Sequence, residues 1–293
     1  MTPVETAMVL GSALLHAVWS ASIKGSGDPF AFNLRQKAFF LSGFLAVAPF
    51  VPWSSIPAEA WKLVAVTAVA HALYLYWLSR SLATTDFTVA YPIIRSTPAF
   101  VPFVAVPLLG EQLSVTGAAG IAIVVAGVWL VHTRGEMRWS AILSPGMGFA
   151  YWTLLATVAY SLVDKQAMEL ISSGPWPSPV PRAVFYFFLT TAANAFLFVP
   201  LALRHLPRGS RRAAFRGKWG AAGMAAAVSL ASYGLILEAY RTAPVSYVVA
   251  IRQSSVLFAV VIGAMFLRER PGRARILGAV ATVAGVALIA LFP

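Results

Sequence analysis

Long runs of apolar residues alternate with short polar gaps along the whole chain. Ten runs are bounded by charged residues, Pro or Gly, and about 20 apolar residues in a helix are enough to cross a bilayer. They predict ten membrane-spanning helices, numbered here as the first to tenth spans, at 4–23, 30–51, 60–80, 87–109, 114–132, 147–168, 182–203, 218–240, 245–267 and 274–292. The gaps are too short for a separate globular domain, so the expected fold is an all-α integral membrane protein.

The composition agrees with this interpretation. Hydrophobic residues make up 59% of the chain and charged residues 11%, whereas a soluble domain carries about a quarter charged residues. A net charge of +12 would suggest nucleic acid for a soluble protein, but most Lys and Arg lie in the gaps between apolar runs. The expected partners are therefore the lipid bilayer and a small molecule, and no nucleic acid. Without Cys, and with four widely separated His, the chain predicts no metal site and no cofactor.

The second half of the chain repeats the first. Leu109, Glu111 and Gly120 recur at a constant offset as Leu267, Glu269 and Gly278, and the segments 125–128 and 283–286 are both Val-Ala-Gly-Val. Five spans per repeat is an odd number, so the halves must enter the membrane from opposite sides. This pattern predicts two inverted five-helix repeats, residues 1–140 and 141–293, around a central cavity.

The basic residues indicate an orientation. Sixteen Lys and Arg, among them Arg35, Lys37 and Arg211, fall in or beside the gaps on one side, and four fall on the other: Lys62, Lys165, Arg182 and Arg241. Because cytoplasmic loops carry an excess of basic residues, both termini are expected outside the cytoplasm.

Two cations lie at matched depth in the fourth and ninth spans. Arg95 lies between Pro92 and Pro98, and Arg252 precedes Gln253. Since Pro removes a backbone donor and kinks a helix, the fourth span is expected to bend at Arg95 and expose backbone acceptors. Either Arg could pair with a substrate carboxylate. The alternative is an internal ion pair with Glu238 or Asp164.

Aromatic and polar residues share stretches of several spans. Residues three or four apart share a helix face, so His16 and Trp19 can point into one cavity, as can His71 and Tyr74. With Tyr160 and Tyr233 they predict an aromatic lining that suits an amphipathic or aromatic ligand, although core packing would explain any single member.

Acidic residues inside spans could take up and release protons. Asp164 and Glu238 are the candidates, with His71 as a relay. The alternative is that both carboxylates lie near helix ends, where they are solvated or paired with Lys165 and Arg241. Glu111 lies at the membrane edge, where a structural role is expected.

Small residues recur on one face of the fifth and tenth spans. Gly120 and Gly127 are seven residues apart, as are Gly278 and Gly285. Such spacing lets helices approach closely, so these glycines predict tight helix packing rather than ligand contacts.

These motifs resemble a known family. Glu111 and Glu269, each followed by its glycine pair, are similar to the repeated signature of the drug/metabolite transporter superfamily, EamA type. Tyr91-Pro92 with Arg95, and the segment 243–247 with Arg252, resemble its fourth and ninth helices. The chain departs from the pattern at Arg268 and Ser96, where Gly is usual. The resemblance implies a basket in which spans one, three, four, six, eight and nine surround a cavity, lined also by Tyr91, with spans five and ten outside it.

The functional prediction is a secondary transporter of the bacterial inner membrane, a monomer or weak homodimer. The family resemblance implies export of small metabolites, with amino acids bearing aromatic or bulky apolar side chains favoured by the lining. A lipid or lipid-linked-sugar flippase on the same scaffold is the alternative. An intramembrane enzyme is disfavoured, because the chain has no GxSG with a partner His, no HExxH and no aspartate-rich diphosphate-binding motif.

Overall fold

The computed structural model describes residues 1–84, 87–133, 142, 144–206, 211, 215–266 and 272–293. Within these ranges every extended regular element is an α-helix, and three single 3-10 turns accompany the helices. The helices are α1 (Pro3–Lys24), α2 (Pro29–Val47), α3 (Ala58–Thr84), α4 (Phe87–Ile94), α5 (Thr97–Leu109), α6 (Val115–Thr133), α7 (Gly148–Ser172), α8 (Arg182–His205), α9 (Trp219–Ala239), α10 (Val245–Arg252), α11 (Ser255–Phe266) and α12 (Arg273–Leu291).

Seven helical segments of the described chain are long and apolar enough to cross a membrane. They lie in α1, α3, α6, α8, α9 and α12 and in the stretch Ala90–Leu109, which covers parts of α4 and α5. Helices α2 and α7 are also long, but polar side chains such as Lys37 and Asp164 lower their hydropathy. The protein is therefore an all-helical, multi-pass membrane protein, and the number of ten spans stays a prediction.

The fourth and ninth spans are each broken in the middle, the fourth at Arg95, where a bend was expected, and the ninth, which was expected to be continuous, after Arg252. In the fourth, Pro98 has no N–H for the carbonyl of Ile94, and Thr97 Oγ1 donates to that carbonyl at 3.3 Å. Ser96 Oγ donates to the carbonyl of Pro92 at 2.8 Å. The prediction that this bend exposes those backbone acceptors is therefore wrong, because neighbouring hydroxyl groups occupy them.

The ninth span breaks without a proline. Its first half, α10, ends at Arg252, and a turn at Gln253 and Ser254 leads into α11. At this turn the Ser254 N–H donates to the carbonyl of Ile251 at 2.9 Å, three residues back, so the regular helical pattern is interrupted. The break leaves Arg252 at a helix end beside the centre of the bundle.

Glu111 stabilises the start of α10 from another helix connection. Its carboxylate accepts hydrogen bonds from the backbone N–H of Val245, from the N–H of Ser246 at 3.3 Å and from the Ser246 hydroxyl at 2.6 Å. These first N–H groups have no partner within the helix, and an anion there also suits the helix dipole. The structural role expected for Glu111 is confirmed.

Helices α6 and α12 pack in antiparallel contact along their glycines. A Cβ atom built on Gly120 would lie 2.8 Å from the carbonyl oxygen of Gly285, and one on Gly278 would lie 2.6 Å from that of Gly127. The expected tight packing of these glycines is confirmed. The remaining helices form close pairs as well, α1 with α9, α3 with α7 and α2 with α8.

Several residues used in the sequence argument lie outside the described part of the chain. They are Leu267, Arg268 and Glu269 of the second repeat motif and five further cations counted for orientation, Arg134, Arg138, Arg208, Arg212 and Arg270. The predicted boundary between the repeats, 140/141, also falls there.

A valine at Gly127 should destabilise the bundle. Its Cβ would lie 2.5 Å from Thr282 Oγ1 and 2.7 Å from the carbonyl oxygen of Gly278, where backbone cannot yield without separating the helices. Overpacking of this kind costs about 1–3 kcal/mol. Thermal unfolding in detergent should show a lower Tm for Gly127→Val, whereas Ala126→Val, at an exposed neighbouring position, should match the wild type. Equal Tm values for both variants would contradict close contact at this seam.

Candidate functional site

A polar cavity of about 100 Å³ lies within the bundle, between α1, α2, α3, α7, α8, α9 and the end of α10. Its lining residues are His16, Trp19, Asn33, Gln36, Lys37, Phe40, His71, Tyr74, Leu75, Tyr160, Phe187, Thr190, Thr191, Asn194, Ser229, Ser232, Tyr233 and Arg252. Among the described residues, the second and seventh spans therefore contribute to the lining and the fourth does not. This corrects the arrangement that the family resemblance implied, while the fifth and tenth spans lie outside the cavity as expected.

Four of the predicted site residues form one aromatic cluster. The rings of His71 and Tyr160 stack with centroids 4.0 Å apart, and Tyr74 meets Tyr160 edge-on at 5.5 Å. Tyr233 contacts His71 edge-on at 5.7 Å. Helices α3, α7 and α9 supply these side chains, so the cluster forms only when the two halves of the chain come together.

His16 and Trp19 lie on α1 at another part of the lining. Their rings stack at 5.3 Å. Trp19 Nε1 donates to Gln36 Oε1 at 3.0 Å, and Gln36 Nε2 donates to Asn33 Oδ1 at 3.2 Å. This chain of hydrogen bonds fixes the indole ring and connects α1 to α2.

Arg252 reaches the cavity from the end of α10. Its guanidinium group lies over the ring of Tyr233, with Cζ 5.2 Å from the centroid, a favourable cation–π arrangement. No carboxylate of the described residues lies within salt-bridge distance of it. The alternative of an internal ion pair with Asp164 or Glu238 is therefore wrong for Arg252, which leaves a cation beside open space.

Arg95, Tyr91 and Gln253 were predicted to line the cavity, and none of them is among its lining residues. Arg95 Nη2 donates to the Tyr91 hydroxyl at 2.5 Å and lies 3.2 Å from His16 Nε2. Gln253 is buried, with Nε2 directed to the carbonyl of Val249. The helix breaks next to these residues change the direction of their side chains, which depth along the sequence could not show.

Lys37 is the main lining residue that the sequence analysis missed. It was counted among the cations that set orientation, but it lies inside α2 with 7% of its surface exposed. Its Nζ donates to Asn194 Oδ1 at 2.5 Å and lies 5.7 and 5.8 Å from the ring centroids of Phe40 and Phe198. The sequence feature that could have identified Lys37 as a lining residue is the spacing of Asn33, Gln36 and Lys37, which places all three on one face of the helix.

Asp164 lies at the centre of the bundle and has no exposed surface. Its Oδ1 accepts from Thr67 Oγ1 at 2.6 Å and from the Tyr186 hydroxyl at 2.7 Å. Its Oδ2 lies 3.1 Å from His71 Nε2 and accepts from the Tyr233 hydroxyl. The expectation of a solvated carboxylate, or one paired with Lys165, is wrong, because donors from three other helices enclose Asp164.

Lys165 and Glu238, by contrast, have local partners. Lys165 Nζ donates to the backbone carbonyl of Tyr240 at 2.8 Å and pairs with Glu169 at 2.7 Å. Glu238 pairs with Arg241, which was the alternative to a role in proton transfer, and both side chains are about one third exposed. Glu238 is not among the cavity residues, so its position does not favour a role in proton coupling.

The described residues contain no group of three His, Asp or Glu side chains arranged as a metal site. The polar centre is instead built from two cations, hydrogen-bonding amides and hydroxyls, aromatic faces and one enclosed carboxylate. A water-accessible cavity of this kind inside a bundle of apolar helices is typical of proteins that bind a small molecule within the membrane.

Comparison with known proteins identifies the family to which this membrane protein belongs. The family model of the EamA-like transporter family matches residues 5–133 and 146–291, one match in each half. The chain belongs to this family and is a membrane transporter of small molecules within the drug/metabolite transporter superfamily.

The remaining comparisons concern the fold. A solved structure titled "Crystal structure of protein" is similar, with a TM-score of 0.74 and 18% sequence identity over 99% of this chain and 98% of that one. At this identity the likeness shows a shared fold alone. No curated protein matches the chain.

The absence of Cys allows a direct test of the cavity. We expect Ser229→Cys, which replaces a lining residue, to react readily with a small hydrophilic thiol reagent in detergent. Ser12→Cys should react far more slowly, because Ser12 is fully buried between α1 and α9, where Ser232 Oγ donates to its carbonyl at 2.9 Å. Mass spectrometry of the labelled protein measures both rates, and equal rates would contradict the assigned lining.

Proposed function

We propose that this transporter exports small carboxylate-bearing metabolites, with amino acids that have aromatic or bulky apolar side chains as its main substrates. The observation that carries the proposal is Arg252, a cation in the cavity with no carboxylate partner among the described residues. A cation near the middle of a membrane costs at least about 2.5 kcal/mol, so a substrate anion that neutralises it binds favourably. Lys37 adds a second positive charge to the same lining.

The aromatic cluster supports the choice of substrate side chain. Next to Arg252, the rings of Tyr74, Tyr160 and Tyr233 line the cavity and offer apolar faces to a ligand. An aromatic side chain gains free energy by packing against such rings, in offset or edge-on geometry. A carboxylate on Arg252 with an apolar side chain on the tyrosines is the pose that satisfies both parts of the site.

We infer transport by alternating access, and the arrangement of the halves as two inverted five-helix repeats, 1–140 and 141–293, supports it. The equivalent helices α6 and α12 are antiparallel, so an axis that exchanges them lies in the membrane plane. The reciprocal contacts of Gly120 with Gly285 and of Gly127 with Gly278 are those that such an axis produces. The same rotation maps α1 onto α7 and α9 onto α3, so the packed pair α1–α9 becomes the packed pair α7–α3.

Contacts join the two halves of the chain at both ends of the bundle. At the end that contains the start of α1, Ser178 Oγ donates to the carbonyl of Phe50 at 2.7 Å, and Thr242 Oγ1 donates to Glu5. Both contacts join the first half of the chain to the second. The lining residues Asn33 and Asn194 lie toward the opposite end, where α2 begins and α8 ends. That end is also joined across the halves, because His205 Nε2 lies 3.0 Å from the Tyr76 hydroxyl and the rings of Phe30 and His205 stack at 5.9 Å. We place the substrate entrance on the side of the α1–α2 connection because the lining residues Asn33 and Asn194 lie toward it.

The basic residues support a cytoplasmic position for the side of the α1–α2 connection. Arg35 and Lys37 lie inside α2 and Lys165 inside α7, so they do not count as loop cations. Fourteen basic residues then remain on the predicted cytoplasmic side and three on the other side. The predicted orientation in the bacterial inner membrane is unchanged. A substrate would enter from the cytoplasm, as export requires, in a protein that acts as a monomer or weak homodimer.

This orientation predicts the location of reporters in cells. Alkaline phosphatase fused after Pro293 should be active, because it folds outside the cytoplasm, and green fluorescent protein inserted beside Arg211 should fluoresce. Exchanging the two reporters supplies the control, since both exchanged fusions should be silent. An active phosphatase beside Arg211 would reverse the proposed direction.

Arg252 should be required for transport. In proteoliposomes, Arg252→Lys should reduce uptake of radiolabelled phenylalanine, because Lys lacks the planar fork that pairs with a carboxylate. Arg252→Gln should reduce it further, by about tenfold or more, since a charge-assisted hydrogen bond contributes about 1.5–3 kcal/mol. Lys62→Gln, which removes a cation at an exposed position, should transport normally.

Wild-type rates in both Arg252 variants would assign the substrate carboxylate to another group. If the wild-type protein moves fluorescent phospholipid between leaflets and no radiolabelled amino acid, the flippase alternative replaces this proposal.

A further inference from the structure

Asp164 and its four hydrogen-bonding partners are not explained by carboxylate binding at Arg252. Asp164 is an acid at the centre of the bundle, and its nearest cation candidate is a histidine. Carboxylates in such surroundings are costly to keep ionised unless they are fully hydrogen-bonded, and a proton removes that cost. An acid that alternates between these two forms is a site at which a membrane protein can bind a proton.

The two oxygens of Asp164 have different surroundings. Oδ1 accepts from Thr67 and Tyr186, which are both fully buried and outside the cavity lining. Oδ2 faces His71 and Tyr233, which both line the cavity. The side chain of His71 is 16% exposed and that of Asp164 is not exposed. Oδ1 is therefore held by the protein interior, and Oδ2 lies one side chain away from cavity water.

We propose that Asp164 Oδ2 binds the proton that this transporter exchanges for an amino acid, with His71 as the relay between the cavity and Oδ2. The step is a proton transfer: His71 Nε2 gives its proton to Oδ2, and the ring regains one from cavity water at its other nitrogen. The carboxylate becomes a neutral carboxyl group, and neutral His71 then accepts from the new O–H through Nε2.

The proton and the substrate communicate through Tyr233. Its hydroxyl group donates to Oδ2, and the guanidinium of Arg252 lies over its ring. With an amino acid carboxylate on Arg252 and its side chain on the tyrosines, the substrate ammonium group would lie toward His71, on the side of the cavity that faces Asp164. Ionised Asp164 attracts that ammonium group across a medium of low dielectric constant, and protonated Asp164 does not. The proton and the zwitterion therefore compete, which is the relation that exchange requires.

Other titratable groups around Asp164 have their own partners or lie behind these side chains. Helix α3 contributes His71, α8 contributes Tyr186, and α9 contributes Tyr233 with Tyr240 just beyond its end. On its own helix, Tyr160 stacks on His71, and Lys165 is bonded to Tyr240 and Glu169. Arg252 lies beyond Tyr233, and Arg95, at the break between α4 and α5, contacts Tyr91 and His16.

Infrared difference spectroscopy of the reconstituted protein between alkaline and acidic buffer tests the proton site without any substrate. The wild type should gain the C=O band of a protonated carboxyl group, which Asp164→Asn loses and Glu238→Gln, with its acid at the bundle edge, retains. If Asp164→Asn fails to fold, Tyr233→Phe should shift the pH at which the band appears, whereas Tyr76→Phe, bonded to His205 away from the site, should not. A band that is missing from the wild type, or unchanged in Asp164→Asn and Tyr233→Phe, overturns the proposal.

Binding measurements test the competition, which rests on the proposed amino acid substrate. Phenylalanine binding to the wild type should weaken on acidification, whereas 3-phenylpropanoate, with the same carboxylate and no ammonium group, should not weaken. Asp164→Asn should remove the pH dependence of phenylalanine binding, and pH dependence that persists unchanged in that variant overturns the coupling. If the wild type binds neither compound, the substrate class of the proposed function fails, and the infrared result alone decides whether Asp164 takes up a proton.

Discussion

Moving an ionised side chain from water into a bilayer costs free energy, and the centre of this bundle contains several such side chains. Each is accommodated differently. Asp164 accepts hydrogen bonds from donors on three helices, and the next residue, Lys165, points to a backbone carbonyl and to Glu169. Arg252 has an aromatic face on one side and the cavity on the other. The enclosed charges connect helices, whereas Arg252, which has no carboxylate partner among the described residues, faces the space where a ligand can supply one.

The broken spans solve a related problem for the backbone. A helix interrupted within a bilayer leaves N–H and C=O groups that must find partners inside the protein. In the fourth span the hydroxyl groups of Ser96 and Thr97 satisfy the freed carbonyls, and Trp129 Nε1 in turn donates to Ser96 Oγ at 2.7 Å. Ser96 contributes hydrogen bonds at this break that a glycine could not. The start of α10 is satisfied from outside the helix, by the carboxylate of Glu111.

The sequence predicts the parts of this structure that depend on local composition. Apolar runs locate the helical segments, and the spacing of Gly120 with Gly127 indicates the close approach of α6 and α12, because small residues on one face have few other uses. His71, Tyr74, Tyr160 and Tyr233 could be selected because polar aromatic residues are uncommon inside apolar runs. Their mutual contacts depend on three helices from both halves, so spacing within one helix could not give them.

Other errors arise where a side chain's surroundings depend on distant parts of the chain. Lys37 was counted with the loop cations because it lies in the first half of a span whose start was predicted correctly, and its burial depends on Asn194 from a helix far along the chain. Asp164 was placed near a helix end because the predicted span stops at 168, whereas α7 continues to Ser172. Arg95 was selected by its position within a span, but the break next to it determines which way its side chain points.

The seam between α6 and α12 limits how the molecule can move. Where glycine backbones touch, as Gly127 and Gly278 do, there are no flexible side chains to absorb a displacement along the helix axis. Sliding by part of a turn would bring Val124 or Val131 against the opposite backbone, so the two helices behave as one stiff pillar. Since this pillar lies outside the cavity, the alternating access proposed above would require the other helices to tilt about it, with the seam as the fixed reference.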